Sequence, residues 1–366
     1  MRSESFRDKM NCVTWAIEKL DYAAYMLDIN LGKVRRGSFE AQLDLTNKCN
    51  LRCIYCPLYS EFVKGNFNHK KASTRDLDIA LAKSIISQLK MSGTKQILIT
   101  GEGEPFLYKK MRELIKQIKQ ENLECGIVTN GTLLTSDISK FLIKNKVEKI
   151  IVSVNAGDSK KYKQATGADY FGVVTENLKQ LNALKKRGKN EKPKVFISFI
   201  PIKLNVQSLF DIILLSKEVD ASLILKKFIS FKGTERFQIR YDKKFKNTLI
   251  KFEKQCRNLK VKNNIPAYID EVYSAKIPFC YAGWLITRIK INGDVVVCCS
   301  NNNYVIGNLK KNSFKEIWYS EGYEQFRKLH RDYDKRVKCG FTCKKCQLHQ
   351  INKKVESFDF KKIFFK

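Results

Sequence analysis

Three cysteines fall within eight positions in the stretch CNLRCIYC, at Cys49, Cys53 and Cys56, with three and then two residues between them. Thiolates so spaced bind metal, yet their number is odd. A structural zinc site takes four protein ligands and a disulfide takes two. An iron–sulfur cubane held by three thiolates leaves one iron with an open coordination position, which a small molecule can fill. A zinc knuckle made of Cys53, Cys56 and a distant pair is the alternative, and it leaves Cys49 surplus. A second set lies near the other end: Cys280, the adjacent Cys298 and Cys299, then Cys339, Cys343 and Cys346 in CGFTCKKC. By spacing alone this set suits a zinc ribbon as well as an iron–sulfur cluster. Cys12, Cys125 and Cys256 stand apart and read as small buried hydrophobes.

The first set follows a β-type run, FEAQLDLT (39–46). Further such runs occupy 95–101, 124–130, 148–155, 194–200 and 222–229, with helix-period segments over 74–90, 109–121, 135–145 and 174–187 between them. Six β-then-α units in succession predict a parallel α/β fold, as a barrel, a part-barrel or an open sheet. Such folds carry their chemistry at the C-terminal ends of the strands, where the loop with Cys49, Cys53 and Cys56 falls. The alternation spans 39–230. A helical segment precedes it (1–38), a charged linker or helical connection follows (231–279), and a cysteine-rich unit (280–350) and a basic, aromatic tail (351–366) complete the chain. Within 280–350, RIKI and VVVCC flank NGD, a turn signal that predicts a β-hairpin and brings Cys280 near Cys298 and Cys299. The run NSFKEIW predicts a helix capped by Asn312 or Ser313.

CNLRCIYC resembles the cluster motif of the radical S-adenosylmethionine enzymes, with Tyr55 as the aromatic residue before the last cysteine. The resemblance implies a (βα)6 partial TIM barrel and a [4Fe-4S] cluster on Cys49, Cys53 and Cys56. S-adenosylmethionine would chelate the open iron, and its reductive cleavage would give a 5′-deoxyadenosyl radical that abstracts a hydrogen from substrate. TGEGEPFL (100–107) looks like the family's Gly-Gly-Glu-Pro element, which holds the methionyl ammonium. Gly103, Glu104 and Pro105 match it, and Glu102 stands where the first glycine is usual. Asn130, Ser153 and Asn155, each at the end of a strand, are carried over as polar cofactor contacts, and Asn205 as one near the adenine or ribose. Caps or turns would also account for Asn and Ser at these places. No side chain is singled out as general acid or base.

The segment from Cys280 resembles the SPASM-type extension of that family, through NGDVVVCC, IGNL and FKEIW. It implies an auxiliary [4Fe-4S] cluster on Cys280, one of Cys298 and Cys299, Cys343 and Cys346, with Cys339 as alternate. Such a cluster suits a net oxidation or other modification of a peptide or a small polyhydroxylated molecule, fed by an electron donor such as a flavodoxin or ferredoxin. The 366 residues carry 69 Lys and Arg against 37 Asp and Glu, a formal charge of +32. That excess keeps two alternatives open, an RNA-modifying radical enzyme and a non-catalytic zinc or nucleic-acid-binding protein. The lysines are dispersed and interleaved with acids, which favours solvated helix faces. The most apolar N-terminal run is broken by Glu18, Lys19, Asp21 and Asp28, so the expectation is a cytoplasmic protein without a membrane span.

Overall fold

In a computed structural model of the chain the described residues are 23–63, 75–274, 279–300, 304–339, 346 and 348–357. Six strands, β1 (Glu40–Asp44), β2 (Gln96–Thr100), β3 (Glu124–Thr129), β4 (Lys149–Ser153), β5 (Lys194–Phe199) and β6 (Ser222–Leu225), pair in parallel and in chain order. Their registers align the C-terminal ends along one rim, with Asp44 opposite Thr100, Thr129 opposite Val152 and Phe199 opposite Leu225. Period-two alternation explains the two faces. Ala41 and Leu43 of β1 and Ile97 and Ile99 of β2 enter the apolar core, whereas Glu40, Gln42 and Asp44 alternate with them and are equally buried. The sheet is curved and not closed, a partial barrel with one polar and one apolar face.

Helices cover the apolar face: α1 over 23–30, α2 (Ile79–Met91), α3 (Met111–Gln120), α4 (Ser136–Lys144), α5 (Ser159–Thr166), α6 (Phe171–Arg187) and α7 (Leu209–Glu218). In α3 the buried Met111, Leu114, Ile115 and Ile118 recur at helical spacing, so one stripe packs inward. The helix expected from 74 begins at Ile79, because the Asp78 carboxylate caps it by accepting from the Leu81 N–H at 2.9 Å. The strand expected over 222–229 ends at Leu225. Lys226 still donates its N–H to Phe199, and the chain then turns along the strand rim. The charged stretch beyond 230 holds α8 (Lys243–Asn258) and α9 (Ile265–Tyr273).

The hairpin forms as expected, with β7 (Ile286–Ile289) antiparallel to β8 (Asp294–Val296) around Gly293. It does not make a sheet of its own. β7 pairs in parallel with the free edge of β1, and β9 (Val305–Asn308) follows β8, giving one nine-stranded sheet. Pairing satisfies an edge that would otherwise expose a row of backbone donors and acceptors. Short helices α10 (Ala282–Leu285), α11 (Phe314–Trp318), α12 (Glu321–Lys328) and α13 (Tyr333–Lys338) complete this region, and Ser313 closes a reciprocal cap with Glu316 on α11. Two indole N–H groups, of Trp284 and Trp318, donate to the carbonyls of Lys33 and Arg36, so the segment after α1 is gripped by the C-terminal region.

The tail expected from 351 begins as a helix, α14 (His349–Glu356), because Asn352 and Val355 on one face are buried. α14 links the β6 side of the sheet to the segment that leads into α10 and β7. Gln350 accepts from Asn264 and donates to Glu271 on the β6 side, while Asn352 accepts from the Tyr281 N–H and Glu356 from the Phe279 N–H.

Candidate active site

The loop leaving β1 is fixed before any metal enters. Arg52 and Ile54 donate backbone N–H groups to Thr166 and Ala165 at the end of α5, and Cys56 turns back onto the Cys53 carbonyl at 3.0 Å. From the other side Asn130 Nδ2 donates to Asn50 Oδ1 at 2.8 Å, and Asn50 Nδ2 to Thr132 Oγ1 at 2.9 Å, tying the loop to the end of β3. Gly103 passes so close that a Cβ there would lie 2.2 Å from the Lys48 carbonyl oxygen, so only glycine fits. The neighbouring Glu104 N–H donates to that same carbonyl at 2.7 Å.

Cys49, Cys53 and Cys56 line a cavity of about 300 Å³ at the strand rim, together with Tyr55, Gly103, Glu104, Asn130, Ser153 and Asn155. Burial pushes all three thiols up, Cys53 to about 12, so without a cation at the site they stay protonated. Among the described residues no three Cys, His, Asp or Glu side chains converge on one ion. A cubane asks for less convergence, because each thiolate binds its own iron. Three half-buried cysteines around a cavity, with no fourth beside them among the described residues, fit a cluster with one open corner.

The carboxylate of Glu104, only 2% exposed, accepts from Thr129 Oγ1 and the Asn130 N–H at 2.7 Å each and from the Phe106 N–H at 3.2 Å. Burial raises its pKa and these donors oppose the rise. Most of its acceptor capacity is therefore spent on holding the rim. Asn130 accepts from Thr132 as well as donating to Asn50, and is equally engaged. Asn155 accepts from the Ile200 N–H and donates to the Tyr55 hydroxyl at 2.6 Å. That hydroxyl is directed in turn at the Cys53 sulfur.

Two expected contacts lie elsewhere. Pro105 is buried in the first position of a 3₁₀ turn, where its missing N–H costs nothing. Asn205 is 0% exposed, with its amide donating to the Asn155 and Ile200 carbonyls and accepting from the Ile202 N–H, so it braces the rim from behind and does not line the cavity.

The cavity also contains groups that motif reading does not supply. Among the described residues none donates a hydrogen bond to the carboxylate of Glu102, which lines the cavity, and its nearest cation there is Lys290 Nζ at 4.0 Å. Beside it Asp44, fully buried, receives Arg288 Nη2 at 2.7 Å and Nε at 3.0 Å. Arg288 also feels Cys299, which lies in the field of Lys226 as well. A charged residue amid the apolar runs LDL and TRI was the available signal, since a buried charge requires a partner.

In the second set Cys280 and Cys298 are buried, Cys299 and Cys346 half-buried and Cys339 exposed, while Cys343 lies outside the described residues. Cys298 and Cys299 have different surroundings. Cys298 packs in the core and bears on Tyr323, whereas Cys299 faces the cations of the barrel interior. Cys125 and Cys256 are fully buried, as expected of small hydrophobes, and Cys12 lies outside the described residues.

A family model described as the Radical SAM superfamily matches residues 43–211, and a SPASM model, described as an iron–sulfur cluster-binding domain, matches residues 280–347. The tungsten-containing aldehyde ferredoxin oxidoreductase cofactor-modifying protein of Pyrococcus furiosus is 26% identical over 313 residues, 80% of this chain and 83% of that protein. A probable GTP 3′,8-cyclase of Methanocaldococcus jannaschii is 30% identical over 192 residues, 52% of this chain and 59% of the cyclase, so the match spans under two thirds of that relative. Two solved structures share the fold. Streptococcus suis SuiB bound to precursor peptide SuiA superposes with a TM-score of 0.63 at 18% identity, over 89% of this chain and 74% of SuiB. Native anSMEcpe with bound AdoMet gives 0.62 at 18%, over 86% of this chain and 88% of that one. The matched segments coincide with the rim that carries Cys49, Cys53 and Cys56 and with the hairpin that joins β1. This chain therefore carries a Radical SAM domain over residues 43–211, followed by a SPASM iron–sulfur domain over residues 280–347.

Proposed function

We propose that the chain is an oxidoreductase-type radical SAM enzyme acting on a peptide held in the polar interior of the partial barrel. Bound at the rim, the cluster and S-adenosylmethionine supply one-electron reductive cleavage and removal of a substrate hydrogen. The chain's own residues do the rest. Cys49, Cys53 and Cys56 hold the cluster, and Glu104, Asn130 and Asn155 keep the rim rigid. Glu102 offers its carboxylate to the methionyl ammonium, since Glu104 is already occupied. Leu51, Ile200 and Phe228 exclude water from the cavity.

One observation carries the reading. Glu102 on the cavity wall, Asp44, Arg288 and Cys299 form a continuous run of electrostatic neighbours, so the two cysteine sets look onto one interior. In the second set Cys280, one of Cys298 and Cys299, Cys343 and Cys346 would hold the auxiliary cluster, with Cys339 as alternate, and Cys299 is the member of its pair that faces this interior. A cluster held there would supply a one-electron acceptor, so that loss of a hydrogen atom, an electron and a proton from the substrate would amount to a two-electron oxidation. The peptide reading is supported by the fold shared with SuiB, whose structure holds a precursor peptide.

The test is anaerobic reconstitution followed by reduction with titanium(III) citrate. We expect 5′-deoxyadenosine from the wild type, none from Cys53→Ala, and a loss of two mass units in members of a defined peptide library. Iron-replete protein that makes no 5′-deoxyadenosine overturns the reading. A mass loss seen only in a panel of sugars and polyols would replace the peptide with a small molecule.

A further inference from the structure

The cluster loop has a second, outer side. Arg52, Ile54 and Tyr59 form one wall of a recess of about 600 Å³, and Tyr59 faces the cofactor cavity as well. Lys163 of α5 and the pair Arg236 and Phe237 supply the opposite walls. The Arg236 guanidinium lies 4.2 Å from the ring centroid of Phe62 and 4.9 Å from that of Phe237, and Arg52 lies 5.1 Å from the ring of Tyr59. Aromatic faces hold a guanidinium in place without neutralising it. Among the described residues no carboxylate pairs with Arg52, Lys163 or Arg236, and Glu61 is the only acid lining the recess.

We propose that this recess is the docking face for an acidic protein that delivers single electrons, of the flavodoxin kind. The inference rests on the proposed function, which needs one electron from outside to start each turnover. Substrate and S-adenosylmethionine fill the inner side, which leaves the outer side of the same loop as the short way to the thiolates. The whole chain is basic, so any acidic partner is attracted at long range. Arg236 and Arg52 differ from the scattered lysines because rings fix them, and fixed Arg with aromatic neighbours is what a specific interface centres on. In the complex the donor's reduced cofactor loses one electron and the cluster on Cys49, Cys53 and Cys56 gains it. No bond forms and no proton need cross.

The experiment follows cluster bleaching in stopped flow with reduced flavodoxin, and in parallel with titanium(III) citrate, for reconstituted wild type and an Arg236→Glu, Lys163→Glu double variant. The flavodoxin rate constant should fall at least about tenfold in the variant and decline with salt in the wild type, the size expected of lost electrostatic steering. The titanium rate should be unchanged, and an Arg236→Gln, Lys163→Gln variant should lie between the two. Equal flavodoxin rates in all three proteins overturn the docking face, and so does a titanium rate slowed as much as the flavodoxin rate. Weakened binding of a substrate peptide with an unaltered flavodoxin rate would hand the recess to the peptide. Wild type that bleaches under titanium yet makes no 5′-deoxyadenosine would defeat the proposed function and leave the docking result standing.

Discussion

Tyr55 shows how a motif residue acquires a role its motif does not specify. Its hydroxyl accepts from Asn155 and keeps its own proton for the Cys53 sulfur. Hydrogen bonds to cluster sulfurs raise the reduction potential. Tyr55→Phe should therefore keep its iron and shift the cluster to a more negative potential in an EPR-monitored titration. An unshifted potential would limit the tyrosine to packing. The Cys53 thiol gives a pH test. Because burial raises it from 9.0 to about 12, the metal-free protein should be alkylated there slowly at pH 8, and the rate should climb as pH passes 9 toward 12. Mass-spectrometric counting of modified Cys53 measures this directly. At this scale the sequence displayed which residues meet at the rim, through their shared place after successive strands. It did not display what each one does. Glu104 and Asn130 line the cavity and also brace the rim, whereas Asn205 braces it from behind, and a motif does not display these hydrogen-bond partners.

Elements were legible where local pattern decides them. The alternation in KQILITG yields β2 within a residue at each end, and NSFKEIW yields α11 with its cap. Helix α5 is harder to see, because SKKYKQAT buries only Tyr162, Ala165 and Thr166. Its signals are at its ends, in the Asp158 cap and in Gly167 at φ 81°. The role of α14 was not legible, since nothing local connects Asn352 with the backbone at Tyr281. Asn352→Ala would strand that buried N–H and should cost about 1–3 kcal/mol. The expected result is a lower denaturation midpoint with iron lost first from the second set, beside Cys280. Unchanged hydrogen exchange at 279–281 would show that α14 is not the clasp.

Over the whole molecule the Asp44–Arg288 pair joins the first strand of the barrel to the SPASM hairpin, and both side chains are buried. Removing one partner leaves an uncompensated charge, so Arg288→Met alone should destabilise by about 3–5 kcal/mol, and Asp44→Leu with Arg288→Met by clearly less. Chemical denaturation of the wild type, both single variants and the double variant measures the difference, and additive losses would argue against coupling. Among the described residues no helix is long and apolar enough to cross a membrane. The partner of β1 on this side is β7, and 241 residues lie between Asp44 and Ile286. A ribosome needs on the order of ten to fifty seconds to make that stretch. Throughout that time the nascent barrel keeps one edge open to other chains, and a transcript truncated before the hairpin would yield a protein that keeps Cys49, Cys53 and Cys56 and tends to aggregate through its first strand.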